Sequence, residues 1–400
     1  MNKTISIIPV HRQNGIALPL ALVSIVLLLL IGSGLLELGV NARILASRST
    51  EEISARCAAD AGLTVALFEM NNKLKVKPWD AISLPQAFDQ SLPNSNAMYS
   101  FYVTGDMVNG YSVVSIGTCG ANQKQVTCDF RLRGPFDAAI FVRENVELKN
   151  SARVDWYNNK PDDIPMQVAT NSTKPGAVVL KNSSHINGDV IVGADGNPDT
   201  VITDFGATIT GEKGNMTIGC SVTSVVVPDD LSDLPSSGTI KNNLTIASSA
   251  KYDAIDLKNS KAIKVEGNVS LYVTGDIVLG NSAEIVISDN SSLILYLGGS
   301  FEAKNSSTIN NETQVPKNCQ IYAMDSCQNI VLKNSTDFYG TIYAPNAEVT
   351  MDNSSDTYGS IVARCFDQKN SGNFNYDASL RNVTSEDEMI CFVIDNWSEQ

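Results

Sequence analysis

Apolar and polar positions alternate differently in three parts of the chain. From Ile16 to Leu36 the sequence IALPLALVSIVLLLLIGSGLL carries no charged side chain over 21 residues. At about 1.5 Å per helical residue such a run crosses the roughly 30 Å hydrocarbon core of a bilayer. A core helix of a soluble domain would show a polar stripe, and this run has none. From Glu37 to Lys75 charged residues alternate with Leu38, Ile44, Leu45, Ile53, Leu63 and Val65. That pattern predicts a continuation of the same helix with one apolar face. Gly32, Gly34 and Gly39 are expected to loosen it, and Pro78 to end it.

Beyond the helix the period falls to two. Met98–Thr104, Tyr111–Gly117 and Gln125–Arg133 read as half-buried strands parted by Gly- and Asn-rich turns, a small antiparallel sheet. After residue 135 a phrase recurs: VELKNS at Val146, VVLKNSS at Val178, IDLKNS at Ile255, IVLGNS at Ile277, FEAKNSS at Phe301, IVLKNS at Ile330 and VTMDNSS at Val349. The Asn of the later copies (Asn259, Asn281, Asn305, Asn334, Asn353 and Asn370) recurs at 17–29 residues, which, with short β-branched runs between copies, predicts a solenoid. Asn is expected at its corners because it tolerates the left-handed conformation and stacks into amide ladders. A β-sandwich is the competing arrangement. The predicted fold class is α+β: a leader (1–15), a transmembrane and amphipathic helix (16–77), a small antiparallel sheet (78–134), a parallel β-helix-like repeat domain (135–380) and an acidic C-terminal tail (381–400) folded back as a cap or left dangling.

The formal charge of −14 argues against a nucleic-acid partner, whose phosphates need clustered Lys and Arg. Eight Cys and two His leave Cys/His metal chemistry poorly supplied. Local disulfides are the preferred reading for Cys119 with Cys128, Cys319 with Cys327 and, more weakly, Cys365 with Cys391; the alternative is reduced, buried thiols. Cys57 and Cys220 have no assigned partner.

The leader holds Lys3, His11 and Arg12 and no acid, which puts it on the cytoplasmic side. Arg12-Gln13-Asn14-Gly15, the apolar run behind it and Ala58-Ala59-Asp60-Ala61-Gly62 on the helix resemble the type IV pilin and pseudopilin superfamily, in particular its PilX-type N-terminal segment. The stretches GNVSLYVTGDIVLGNSAEI and DFYGTIYAPNAEVTMDNSS resemble a β-helix-like region often fused to such helices. The resemblance implies cleavage by a prepilin peptidase between Gly15 and Ile16 and methylation of the new terminus at Ile16. Major pilins carry a Glu five residues into the mature chain; Leu20 stands there, which favours a minor or initiating subunit. The implied partners are other pilin or pseudopilin subunits through the N-terminal helix, the prepilin peptidase and the inner membrane, with a surface polysaccharide or a host or cell surface as what the repeats engage. The implied location is a single-pass inner-membrane protein with an extracytoplasmic domain, on a pilus or the cell surface after assembly.

No nucleotide-binding, metallopeptidase or serine-hydrolase motif occurs in usable context, no cofactor is expected, and the chain is read as a structural component without enzyme activity. The alternative is a membrane-tethered, β-helical carbohydrate-binding or carbohydrate-active protein working through Asp189, Asp199, Asp204, Asp229, Asp230 or Asp276. Most of these sit beside Gly, Asn or Pro, where turn chemistry is the commoner role. His185, beside Asn182-Ser183-Ser184, is read as a turn residue.

Overall fold

The structure is a computed structural model describing residues 17–158, 160, 164–216, 220, 222–304, 306–333, 337–352, 356–369 and 371–399. Gly15 and Ile16 lie outside the described residues, as do the corner residues Asn305, Asn334, Asn353 and Asn370. The chain divides into two compact units, and the second is inserted in the sequence of the first.

The first unit begins with helix α1, Ala17–Leu74, uninterrupted for 58 residues. Gly32, Gly34 and Gly39 lie inside it without breaking it, each with open space where a Cβ would stand. The face that packs is not the one expected. Leu38, Ile44, Leu45 and Ile53 are exposed, Leu63 is buried and Val65 half-buried; the buried line is Ala55, Ala58, Ala59, Gly62, Leu63, Ala66, Met70 and Leu74. That line follows the 3.6-residue period, but it is built mostly from small residues. Their smallness lets the sheet come close.

The sheet is antiparallel: β1 (Gln86–Ser91), β2 (Met98–Asp106), β3 (Gly110–Cys119) and β4 (Asn122–Arg133) lie in order, and the C-terminal strand Cys391–Glu399 adds itself beside β4. Gly117 of β3 faces the helix backbone so closely that a Cβ there would stand 1.9 Å from the Ala55 carbonyl oxygen. The Ser115 hydroxyl donates to the Ala59 carbonyl at 2.7 Å. The C-terminal strand is held by Asn71, whose amide donates to the Phe392 carbonyl at 3.1 Å and accepts from its N–H at 2.7 Å. The Phe392 ring is buried against Tyr111 edge-on, with centroids 5.4 Å apart. The expected tail is therefore, over its last residues, a structural strand.

The second unit is built from parallel pairs. In one ladder Leu271, Leu295, Ile321, Ile342, Ile361, Ile140, Val168 and Val190 stand in register. In another the column is Ile255, Ile277, Phe301, Ile330, Val349, Phe366, Val146, Val178 and Ile202. A third set holds Ile263, Ile285 and Ile309 in a four-stranded sheet, and Phe338, Thr357, Phe374, Val154 and Ile186 in the large one. All these side chains are buried. Equivalent residues lie one strand spacing apart, about 4.8 Å, so each apolar side chain stacks on its own kind. The columns do not follow chain order. Ile361 neighbours Ile140, so the later repeats form one end of the stack and residues 140–215 continue it.

Residues 222–234, between the two halves of the stack, lie along an outward row, Tyr272, Tyr296, Tyr322 and Tyr343. The Tyr343 hydroxyl donates to the Thr223 carbonyl at 2.7 Å, and the Lys251 ammonium lies over the Tyr272 ring while donating to the Ser232 carbonyl at 2.6 Å. Asp229 and Asp230 open the short helix Asp229–Ser232, which buries Leu231.

At the repeat corners Lys149–Ala152, Lys181–Ser184, Lys258–Lys261 and Gly280–Ala283 each close an i to i+3 backbone hydrogen bond. Asn150 and Asn182 have positive φ as expected, and Asn182 donates to the Asn150 amide oxygen at 3.1 Å. The recurrent left-handed residue, however, is Ser: Ser151, Ser183, Ser260, Ser282 and Ser306 all have φ near +60°. At Asn259 and Asn281 only the following Ser is left-handed, so there Asn fills the first central position of the turn.

Candidate functional site

Two surfaces carry candidate function. The first is the N-terminal part of α1, where Leu22, Val23, Val26, Leu27 and Leu30 are uncharged and outward-facing. This helix is long and apolar enough to cross a membrane. Leu20 lies in this part and is 66% exposed. The same helix docks its second half on the sheet, so one continuous helix joins an apolar segment to a folded head.

The aspartates weighed for catalysis are placed by turn and cap chemistry. Asp189 Oδ1 accepts the Glu212 N–H at 2.8 Å, and Asp276 Oδ1 accepts the Ser300 N–H at 2.8 Å. Each carboxylate thereby satisfies a backbone donor in the neighbouring repeat. Asp204 accepts the Ala207 N–H at 2.6 Å, and Asp199 sits in the first turn of the helix Pro198–Val201. These groups do not converge. His185 stands in register between Arg153 and Thr208 on a strand, not at a turn. Among the described residues no three His, Cys, Asp or Glu side chains form a metal-binding group.

All eight cysteines are thiols in the structure. Cys128 faces Val113 and Cys119 faces Asn122, so the two stand six positions apart along the hairpin, about 20 Å. That correction follows from register: the expected staple would need the hairpin to slip. Cys319 opens the strand Cys319–Ala323, whose length alone carries the chain about 13 Å from it before Cys327 is reached. Cys319 and Cys327 are buried and not bridged, Cys365 is half-buried and Cys391 exposed. Burial pushes the Cys128 and Cys319 thiols up to about 12 and Cys327 to about 11.

The second surface was missed by the sequence reading. On the outward side of the third ladder Tyr339 and Tyr358 are adjacent in register, with centroids 4.3 Å apart and planes 6° from parallel. Tyr157 lies across both, 4.8 Å from Tyr358 at 67° and 6.0 Å from Tyr339 at 64°. Its hydroxyl donates to the Gln314 carbonyl at 3.3 Å. Burial, with help from Asp337 and Asp356, raises the pKa of Tyr339 and of Tyr358, so their hydroxyls remain protonated donors at neutral pH. Further along this side the Asn187 amide donates to Asp155 Oδ1 at 2.8 Å, and Thr210 donates to the Asn187 amide oxygen at 3.0 Å. A signal was present: DFYGTI at Asp337 and DTYGSI at Asp356 repeat the same outward Tyr.

A sequence family described as a domain of unknown function, DUF7305, matches residues 221–383, less than half of the chain. No curated protein matches it. Among solved structures, the competence-associated pilin ComZ from Thermus thermophilus is 12% identical, over 88% of this chain and 98% of that one, with a TM-score of 0.31. An ice binding protein from an Antarctic Flavobacteriaceae bacterium is 10% identical, over 60% of this chain and 79% of that one, with a TM-score of 0.20. At these scores neither superposition fixes the fold or the role.

Proposed function

We propose that the chain is a minor, PilX-like type IV pilin or pseudopilin, a non-enzymatic assembly component that displays a parallel β-helix for tip capping or adhesion. The observation that carries this reading is α1. Its first 20 residues, up to Leu36, are uncharged and outward-facing from Leu18 on, and its second half is bound to an antiparallel sheet through Ala and Gly. A helix of that kind serves first as a membrane anchor and then, withdrawn from the bilayer, as an apolar rod packed among neighbouring subunits. The leader ending at Gly15 supplies the processing site, and Leu20 removes the carboxylate expected of a repeating subunit. The register-matched columns of the second unit support the β-helix reading, since each repeat contributes to three parallel ladders. The tethered carbohydrate-active alternative has less support, because its candidate carboxylates serve turns and caps.

Replacing Gly15 by Val tests the proposal in cells that carry a prepilin peptidase. Val puts a branched side chain where the peptidase must accept extended backbone. The expected result is an uncut precursor retained in the inner membrane, while the wild-type chain is cut and reaches the surface. Equal cutting and export of both would overturn the reading.

A further inference from the structure

The geometry points to a binding site for a neutral glycan on the outward side of the third ladder, with the Tyr157 ring as its platform and Asp155, Asn187 and Thr210 as its hydrogen-bonding row. The inference deepens the adhesion reading above, because it names what a displayed second unit takes hold of. Tyr157 meets Tyr339 and Tyr358 at 64° and 67°, so one face of its ring covers the edges of the stacked pair. The Tyr157 side chain is half-exposed, so apolar ring surface stays open beside the pair, and its hydroxyl bond to Gln314 anchors it. An aromatic plate fixed before binding loses little rotamer freedom when a ligand settles on it.

The neighbouring row supplies the polar half of the recognition. Asn187 uses one amide N–H on Asp155 Oδ1 and its oxygen on Thr210, which leaves its second N–H for a ligand hydroxyl, while Asp155 Oδ2, facing Arg153 at 3.9 Å, keeps acceptor capacity for another. Successive members of the row are one strand spacing apart, about 4.8 Å, so donors and acceptors repeat along a line. A sugar ring joins an apolar C–H face to a rim of hydroxyls, which is what a plate beside such a row fits. The local charges select against acidic glycans. Asp155 is partly offset by Arg153 at 3.9 Å, while Asp337 and Asp356 stand beside the tyrosines. An incoming carboxylate or sulfate meets like charge there.

The test is affinity electrophoresis of the full chain in detergent, through gels containing dextran, mannan or hydroxyethylcellulose, and polygalacturonate as the acidic contrast. At least one neutral glycan is expected to retard the protein, and polygalacturonate is not. Tyr157→Ala should weaken the retardation about ten-fold, whereas Tyr157→Phe keeps the plate and most of the effect. Asn187→Ala should weaken it too, and serves as the deciding variant if circular dichroism shows that Tyr157→Ala perturbs the fold. No retardation by any of the neutral glycans, or equal retardation of wild type and the deciding variant, overturns the inference. Processing at Ile16, read by peptide mass on the same preparations, is independent of these outcomes, so a failed glycan site and a failed pilin reading are told apart.

Discussion

Replacing Gly117 by Ala perturbs the contact on which the first unit depends. Gly117 has no left-handed backbone to preserve; what it preserves is proximity. The added Cβ would stand 1.9 Å from the Ala55 carbonyl oxygen and 2.4 Å from the Ala59 nitrogen, both backbone atoms of α1. No side chain can turn aside, so helix and sheet must part. Over-packing of this kind costs about 3 kcal/mol, the upper end of the usual range, because the obstacle is backbone. Hydrogen exchange followed by mass spectrometry reads the effect in the first unit alone. Amides of β2, β3 and β4 should exchange about a hundred-fold faster, while those of the second unit keep their wild-type rates. Gly62→Ala is the contrast. Its nearest obstacle is the Ser115 Oγ at 2.3 Å, a side-chain atom, so the cost should fall when Ser115→Ala is added. Unchanged exchange in Gly117→Ala would refute the close helix–sheet approach and the reason given for the Ala/Gly face.

Phe392→Ala should destabilise the first unit by about 3–4 kcal/mol, since a buried ring packed on Tyr111 and Phe130 leaves a cavity; hydrogen exchange of β4 checks it, and wild-type protection would show that the C-terminal strand is dispensable. Desolvation raises the Glu147 pKa, but hydrogen bonds from Lys181 and Lys149 outweigh it and leave the value below the ordinary one. Its stabilising contribution is then complete above the unfolded value of about 4.3 and is lost as pH falls through the lower folded value. The gap in Tm between wild type and Glu147→Gln should accordingly be constant near neutrality and close in acid; a gap that widens in acid contradicts the sign. Maleimide should label exposed Cys57 and Cys391 in the native protein, and Cys128 and Cys319 only after unfolding. Alkylation in denaturant without reductant should add eight groups, and fewer would mean that disulfides form after all.

The membrane-length run and the existence of the helix that continues it were legible because absence of charge and the stop at Pro78 are local signals, whereas the face that packs was not. Three of the strands that form the first sheet were legible for the same reason, within a few residues of their ends. β1 was not, because Gln86–Ser91 is mostly exposed and carries a register shift between Ala87 and Gln90, which erases alternation. Ala55, Ala58, Ala59 and Ala66 escaped a search for large apolar residues, although on a helix pressed against a sheet the small residues mark the contact. In the second unit the LKNS phrase located the described corners at Asn150, Asn182, Asn259 and Asn281, but it gave a left-handed Asn only at the first two; at the others the following Ser takes that conformation, since Asn and Ser both suit turns and only the backbone tells which is which. Stacking order was illegible for a deeper reason. Every repeat presents equivalent strand edges, so nothing in Ile361 or Ile140 says that they are neighbours. The tyrosine surface belongs to the same class: Tyr157 meets Tyr339 and Tyr358 only once that order is known.

The central claim is that α1 begins, in the mature protein, at a prepilin cleavage site. Mass spectrometry of the N-terminal peptide from protein purified out of cells with a prepilin peptidase tests it most directly. The account predicts a terminus at Ile16 carrying one methyl group, with the leader through Gly15 absent. A terminus at Met1, or any unmethylated terminus elsewhere, would contradict it and leave the helix as a plain membrane anchor.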